Sequence, residues 1–222
     1  MALHLGKSAV VVLTGLGAAA LVSCICPPCV PPAGQAEVAK GAKMIIWDGD
    51  GGGLPGGKGW ASCDEKAACK SKVSSEKGAG RDGSTGLKWH SEGPAWRGFG
   101  WNFFGWWPQD AGIDLSGYQD LVMWIKVEAA SPDLAPPLDS IVIALGCSKG
   151  QKTSANALAS KYEKNLLDGK WHKLTIPISQ FKKGKEGRDF DLGTTWELRF
   201  SAWAPSSKNF NLYLDDVYVE NP

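Results

Sequence analysis

Punctuation constrains this fold more than any single motif. Glycine and proline, 28 and 13 of the 222 residues, break the chain beyond about residue 43 into short β-prone runs and leave no long amphipathic helix. The runs are 44–47, 72–75, 87–91, 96–104, 121–127, 141–147, 171–178, 196–203 and 210–220. Segments this short, rich in aromatic and β-branched residues and bounded by turn formers, must satisfy their backbones by pairing with one another. The expected class is therefore all-β, an antiparallel two-sheet β-sandwich or jelly roll, rather than a parallel α/β protein.

Side-chain alternation within two runs shows what such sheets do with their faces. In 196–203 a period of two puts Trp196, Leu198, Phe200 and Ala202 on one side, the core side, and Glu197, Arg199, Ser201 and Trp203 on the other. In 121–128, Leu121, Met123, Ile125 and Val127 form an apolar face opposite Val122, Trp124, Lys126 and Glu128. Indoles thus share outward faces with charged residues, and eleven tryptophans are more than a core of this size needs. A sugar ring offers an apolar patch of C–H groups ringed by hydroxyls, which suits a flat aromatic flanked by polar side chains. The expected ligand contacts are Trp101, Asn102, Trp124, Arg199 and Trp203, with Trp106 and Trp107 on an adjoining loop. The alternative for any one of these indoles is burial beneath a neighbouring loop.

The N-terminus bears on compartment. Lys7, an apolar run to Val22, and Leu21-Val22-Ser23-Cys24 resemble the export signal and lipid-attachment box of bacterial lipoproteins. Gly15 and Gly17 interrupt the run, which is shorter than the ~20 apolar residues that cross a bilayer. The resemblance implies a signal peptide over 1–23 and acylation at Cys24, with attachment to the membrane through lipid. Ile25 after the cysteine implies outer-membrane sorting if the source is Gram-negative. A Pro, Ala, Gly and Gln-rich stretch then makes a tether over 24–42, leaving a jelly-roll domain over 43–222. Export agrees with a small disulfide loop between Cys63 and Cys69, while Cys147 lies in an apolar run as a buried thiol. The pairing of Cys26 and Cys29 stays open.

Four stretches carry a second resemblance: Gly98-Phe99-Gly100-Trp101-Asn102; Asp114-Leu115-Ser116-Gly117-Tyr118 before the 121–127 strand; Asp168-Gly169-Lys170-Trp171-His172 leading to Pro177; and the closing strand through Leu214-Asp215-Asp216-Val217. In this order they resemble carbohydrate-binding modules of the galactose-binding jelly-roll superfamily, family-eleven-like ones most of all. The resemblance implies a β-sandwich without catalysis and often a structural Ca2+ near the first and last strands. Asp215, read as sharing a face with Tyr213, Val217 and Val219, and Asp216, on the face of Leu212 and Leu214, need a cation or several donors. With Asp48 and Asp50 they are the candidate calcium ligands, the alternative being a hydrogen-bonded aspartate pair.

Other chemistry lacks its parts. Twenty-four basic residues balance 23 acidic ones, so nothing draws the chain to nucleic acid. The stretch Gly52 to Lys58 imitates a phosphate loop but is followed by Gly59 in place of Ser or Thr and by no helix. Glycoside hydrolysis needs merely two carboxylates at a set distance, and Glu92, Glu128 and Glu197 could converge for it, which leaves a glycan-active enzyme as a less favoured alternative. The expectation is a non-catalytic cell-envelope lipoprotein that binds a polysaccharide or glycan. The alternative is a structural or protein-assembly lipoprotein using the same face for an envelope protein partner.

Overall fold

Eleven strands pair in two antiparallel sheets in the computed structural model, which describes residues 38–50, 58–64, 69–93, 96–103, 112–147, 154–184, 189–203 and 208–222. They are β1 (Lys43–Trp47), β2 (Lys58–Cys63), β3 (Lys72–Lys77), β4 (Thr85–Ser91), β5 (Trp96–Asn102), β6 (Asp120–Ala129), β7 (Ile141–Cys147), β8 (Ser154–Leu158), β9 (His172–Pro177), β10 (Thr195–Trp203) and β11 (Phe210–Glu220). The first sheet runs β3-β4-β11-β6-β9, with β1 also on β11; the second runs β2-β5-β10-β7-β8. This is the two-sheet sandwich expected. The lipid-attachment segment around Cys24, most of the tether, and Trp106 and Trp107 lie outside the described residues.

The inner faces of both sheets build one core. Leu121, Met123, Ile125 and Val127 of β6 and Leu198, Phe200 and Ala202 of β10 are buried as alternation required. The sheets meet where Trp89 of β4 packs on Phe99 of β5, ring centroids 4.9 Å apart, and Phe99 stacks on Phe200 at 5.0 Å. Aromatic contacts of this kind add about 1 kcal/mol each beyond the area they bury.

Two strands escaped the sequence reading. Lys58–Cys63 and Ser154–Leu158, rich in Gly, Ala and Ser with Trp60 the one strong β-former between them, are strands because β5 and β7 offer them an edge.

Bulges correct two facial assignments. In β10 the pairing with β7 skips Trp196, which is half-buried and not among the core residues, contrary to its expected place beside Leu198. In β11 the pairing with β6 shifts between Asp215 and Tyr218, and Asp216 has φ 48°. The extra residue reverses the alternation, so Val217 and Val219 join Leu212 and Leu214 in the core, leaving Asp215 on the outer side with Tyr213. At that bulge β11 also changes neighbour, from β4 to β1.

Cys63 and Cys69 form the expected disulfide, with Cα atoms 5.6 Å apart, and Cys147 is a buried free thiol. The bond ties the end of β2, an edge of the second sheet, to the approach of β3, an edge of the first. Closing a loop this short stabilises by about 2 kcal/mol. Replacing both cysteines by serine should therefore lower the melting temperature by roughly 5 °C, read by calorimetry; an unchanged melt would show the edge to be held without it.

Candidate functional site

The outer face of the second sheet follows from its register. Across β5 and β10, Trp96 faces Trp203, Gly98 faces Ser201, Gly100 faces Arg199 and Asn102 faces Glu197. On the far side of β5, Trp60 of β2 stands opposite Gly100. Glu197, Arg199 and Trp203 alternate with the core residues Leu198, Phe200 and Ala202, so all of these partners point outward. Three indoles, Trp60, Trp96 and Trp203, thus rise from a floor of glycine and serine. The Trp96 and Trp203 row lies four residues along β5 from the Trp60 row, about 13 Å of strand. Trp203 is 56% exposed, the largest fraction of any large hydrophobic side chain described.

Polar groups cluster at the Trp60 end. The Trp60 Nε1–H donates to Asn102 Oδ1 at 3.2 Å, and Arg199 pairs with Glu197 at 3.2 Å. Asn102 and Glu197 are buried and Arg199 is partly exposed. Burial pushes the Glu197 carboxyl above the usual carboxylate range, opposed by the Arg199 charge and a hydrogen bond from Trp60. A carboxyl whose folded pKa is raised contributes stability while protonated and loses that contribution as pH climbs through the raised value. Glu197→Gln should therefore remove part of the loss of stability as pH rises above the ordinary carboxylate range, measured as the difference between wild-type and variant melts. A parallel pair of pH curves would contradict it.

The expected contacts divide. Asn102, Arg199 and Trp203 come together on this face. Trp101 does not: adjacent to Asn102 on one strand, it must point the other way, and it packs inward against Trp47, Phe99 and Phe200 at 6.2, 5.8 and 6.1 Å. Trp124 belongs to β6 in the first sheet, on the opposite wall of the sandwich, where the Arg81 guanidinium covers its ring at 4.5 Å. The first sheet's outer aromatics are capped in the same way, Tyr218 by Lys43 at 3.6 Å and Tyr213 by Lys126 at 4.3 Å. Rings already stacked on their own cations are not open platforms.

Sequence reasoning missed Trp60 and Trp96 and left Glu197 out of the contact set. A signal for Trp96 was there: a period of two through β5 aligns Trp96, Gly98, Gly100 and Asn102 against Arg97, Phe99 and Trp101. Trp60 had none, because its strand is recognisable only from its partner. The glutamates considered for hydrolysis divide between the sheets: Glu197 is in the second, while on the first Glu128 pairs with Lys126 and Glu92 bridges Lys70 and His90.

Among the candidate calcium ligands, Asp215 is buried and its carboxylate is satisfied by protein donors: the Arg81 N–H at 2.8 Å, the Ser84 hydroxyl at 2.7 Å and the Asp216 N–H at 2.9 Å. Asp216 pairs with the Arg81 guanidinium at 3.4 Å, and Asp48 accepts the Asp50 N–H at 3.0 Å in its own turn. No group of three or more His, Cys, Asp or Glu residues able to hold a metal is present among the described residues. Three donors and a guanidinium answer the Asp215–Asp216 charge, as the hydrogen-bonded alternative requires.

A family model described as carbohydrate binding domain 30 matches residues 36–221. A solved family 30 carbohydrate-binding module is similar at 16% identity and a TM-score of 0.56, over 82% of this chain and 99% of that one. A family 11 carbohydrate-binding module from Clostridium thermocellum, solved with a β-1,3-1,4-mixed-linked tetrasaccharide, is similar at 17% identity and a TM-score of 0.50, over 82% and 97%. A β-1,2-glucanase from Parabacteroides distasonis matches at 11% identity and a TM-score of 0.52, over 82% of this chain but 25% of its own. These likenesses agree on the β-sandwich. No curated protein matches the chain.

Proposed function

This chain belongs to the carbohydrate binding domain 30 family, and on that premise we propose that it is a non-catalytic module whose second sheet binds a polysaccharide along its outer face. The observation that carries the reading is the row of outward indoles, Trp60, Trp96 and Trp203, set on glycine and flanked by Asn102, Glu197 and Arg199. Flat rings take the apolar faces of sugars, and the polar trio takes hydroxyls. The open face suits a chain lying across it rather than a small molecule enclosed in a pocket. Shallow contacts of this kind give dissociation constants of roughly ten micromolar to millimolar.

The protein reaches its ligand from the cell envelope, held by lipid on Cys24 through the tether over 24–42. Supporting this are the Leu21-Val22-Ser23-Cys24 box and the apolar run before it. A glycan array probed with the chain from residue 24 onward, carrying Cys24→Ser to keep it in water, tests the binding. Mixed-linked β-glucan is the first probe, since the family 11 module was solved with a mixed-linked tetrasaccharide. Binding to a polysaccharide supports the proposal; silence across plant, bacterial and host glycans, with an envelope protein retained instead, overturns it. Metabolic labelling with a fatty acid, lost on Cys24→Ala, tests the anchor.

A further inference from the structure

The glycines under the indoles are placed too closely to be incidental. A Cβ built on Gly98 would lie 2.8 Å from Cζ2 and 3.0 Å from Cη2 of Trp96, and one on Gly100 would lie 3.3 Å from Cε2 of Trp60. The indole of Trp96 thus occupies the space that a side chain at Gly98 would fill, two residues along the same outward row. Trp60 leans across from β2 onto Gly100 less closely, and there the Leu198 carbonyl oxygen, 2.5 Å away, already excludes a side chain. A carbon in van der Waals contact needs about 3.5 Å, so a methyl at Gly98 cannot coexist with the ring where it is.

We propose that Gly98 is a positioning residue of this face: by lacking a side chain it seats the Trp96 ring down against the sheet, and that seating sets the depth at which a sugar chain lies. The inference rests on the glycan reading of the face. A ring raised by a methyl stands above its neighbours and props a straight chain off Asn102, Glu197 and Arg199. Backbone geometry does not explain Gly98, since its φ lies outside the left-handed region that demands glycine.

Gly98 is the clean site for a test. Its added Cβ meets chiefly the Trp96 side chain, the nearest backbone atom being the Phe200 carbonyl oxygen at 3.1 Å; at Gly100 the Leu198 carbonyl oxygen is 2.5 Å away and the strand itself would suffer. The full chain in mild detergent is compared as wild type, Gly98→Ala, Trp96→Ala and the double variant, titrated calorimetrically with mixed-linked β-glucan. Gly98→Ala should weaken binding by about fivefold. The double variant should bind no worse than Trp96→Ala alone, because the glycine acts only through that ring. Wild-type affinity in Gly98→Ala, or losses that add in the double variant, overturns the proposal. Hydroxyl-radical footprinting without ligand reads the seating directly: oxidation of Trp96 should rise several-fold in Gly98→Ala while Trp203 stays unchanged, and an unchanged Trp96 overturns it. If wild type binds no glycan, the reading of the face fails, and footprinting alone decides the seating.

Discussion

Trp60→Ala should weaken polysaccharide binding about 30-fold, a loss of about 2 kcal/mol, with the fold intact. Trp203 is more exposed, yet Trp60 is the better anchor because its Nε1–H is fixed by Asn102 and its ring rests on Gly100. An indole held in one pose loses little further freedom when a sugar stacks on it. It also stands beside the Glu197–Arg199 pair, so its removal takes away the apolar platform and loosens the polar groups that read hydroxyls. The matched control is Trp124→Ala. That ring lies on the first sheet under Arg81, so its loss should leave affinity unchanged within about twofold. Calorimetric titration of the two variants against one glycan decides the matter. A loss at Trp124 with none at Trp60 would move the site to the other wall.

Asp215→Ala should cost about 3 kcal/mol of stability and lower the melting temperature by roughly 10 °C. The carboxylate is buried at the bulge where β11 exchanges β4 for β1, and the turn between β3 and β4 is docked on it through the Arg81 N–H and the Ser84 hydroxyl. Removing it strands the Arg81 and Asp216 N–H groups and leaves the Ser84 hydroxyl only the Arg81 carbonyl oxygen. Asp215→Asn keeps one acceptor oxygen and should recover part of the loss. A chelator distinguishes this account from a calcium site. Hydrogen bonds predict the same wild-type melt with and without chelator; a fall matching that of Asp215→Ala would mean a cation holds the pair.

Individual strands were well read from the sequence, and their mutual arrangement was not. The inward set of β6 and of β10 from Leu198 onward followed from alternation. Trp101 was misplaced although the same rule forbids it from sharing a face with Asn102, because aromatic character outweighed parity. The closing strand was misread for a different reason. A bulge at Asp216 is a single backbone conformation, φ 48°, with nothing in Leu214-Asp215-Asp216-Val217 to announce it, and one inserted residue exchanges the faces of everything after it.

Alternation is set by covalent geometry between neighbouring residues, so the chain carries in its order alone which side chains oppose which along a strand, and that a sandwich must result. Membership of a sheet is set by hydrogen bonds between strands far apart in the chain: β10 lies between β5 and β7, and β11 between β4 and β6. That pairing put Trp203 and Arg199 beside Trp60 and sent Trp124 to the opposite wall, although the runs 196–203 and 121–128, each with an indole among charges, look alike in one dimension. The site is a property of the register between strands, and register is an outcome of packing two sheets on a common core.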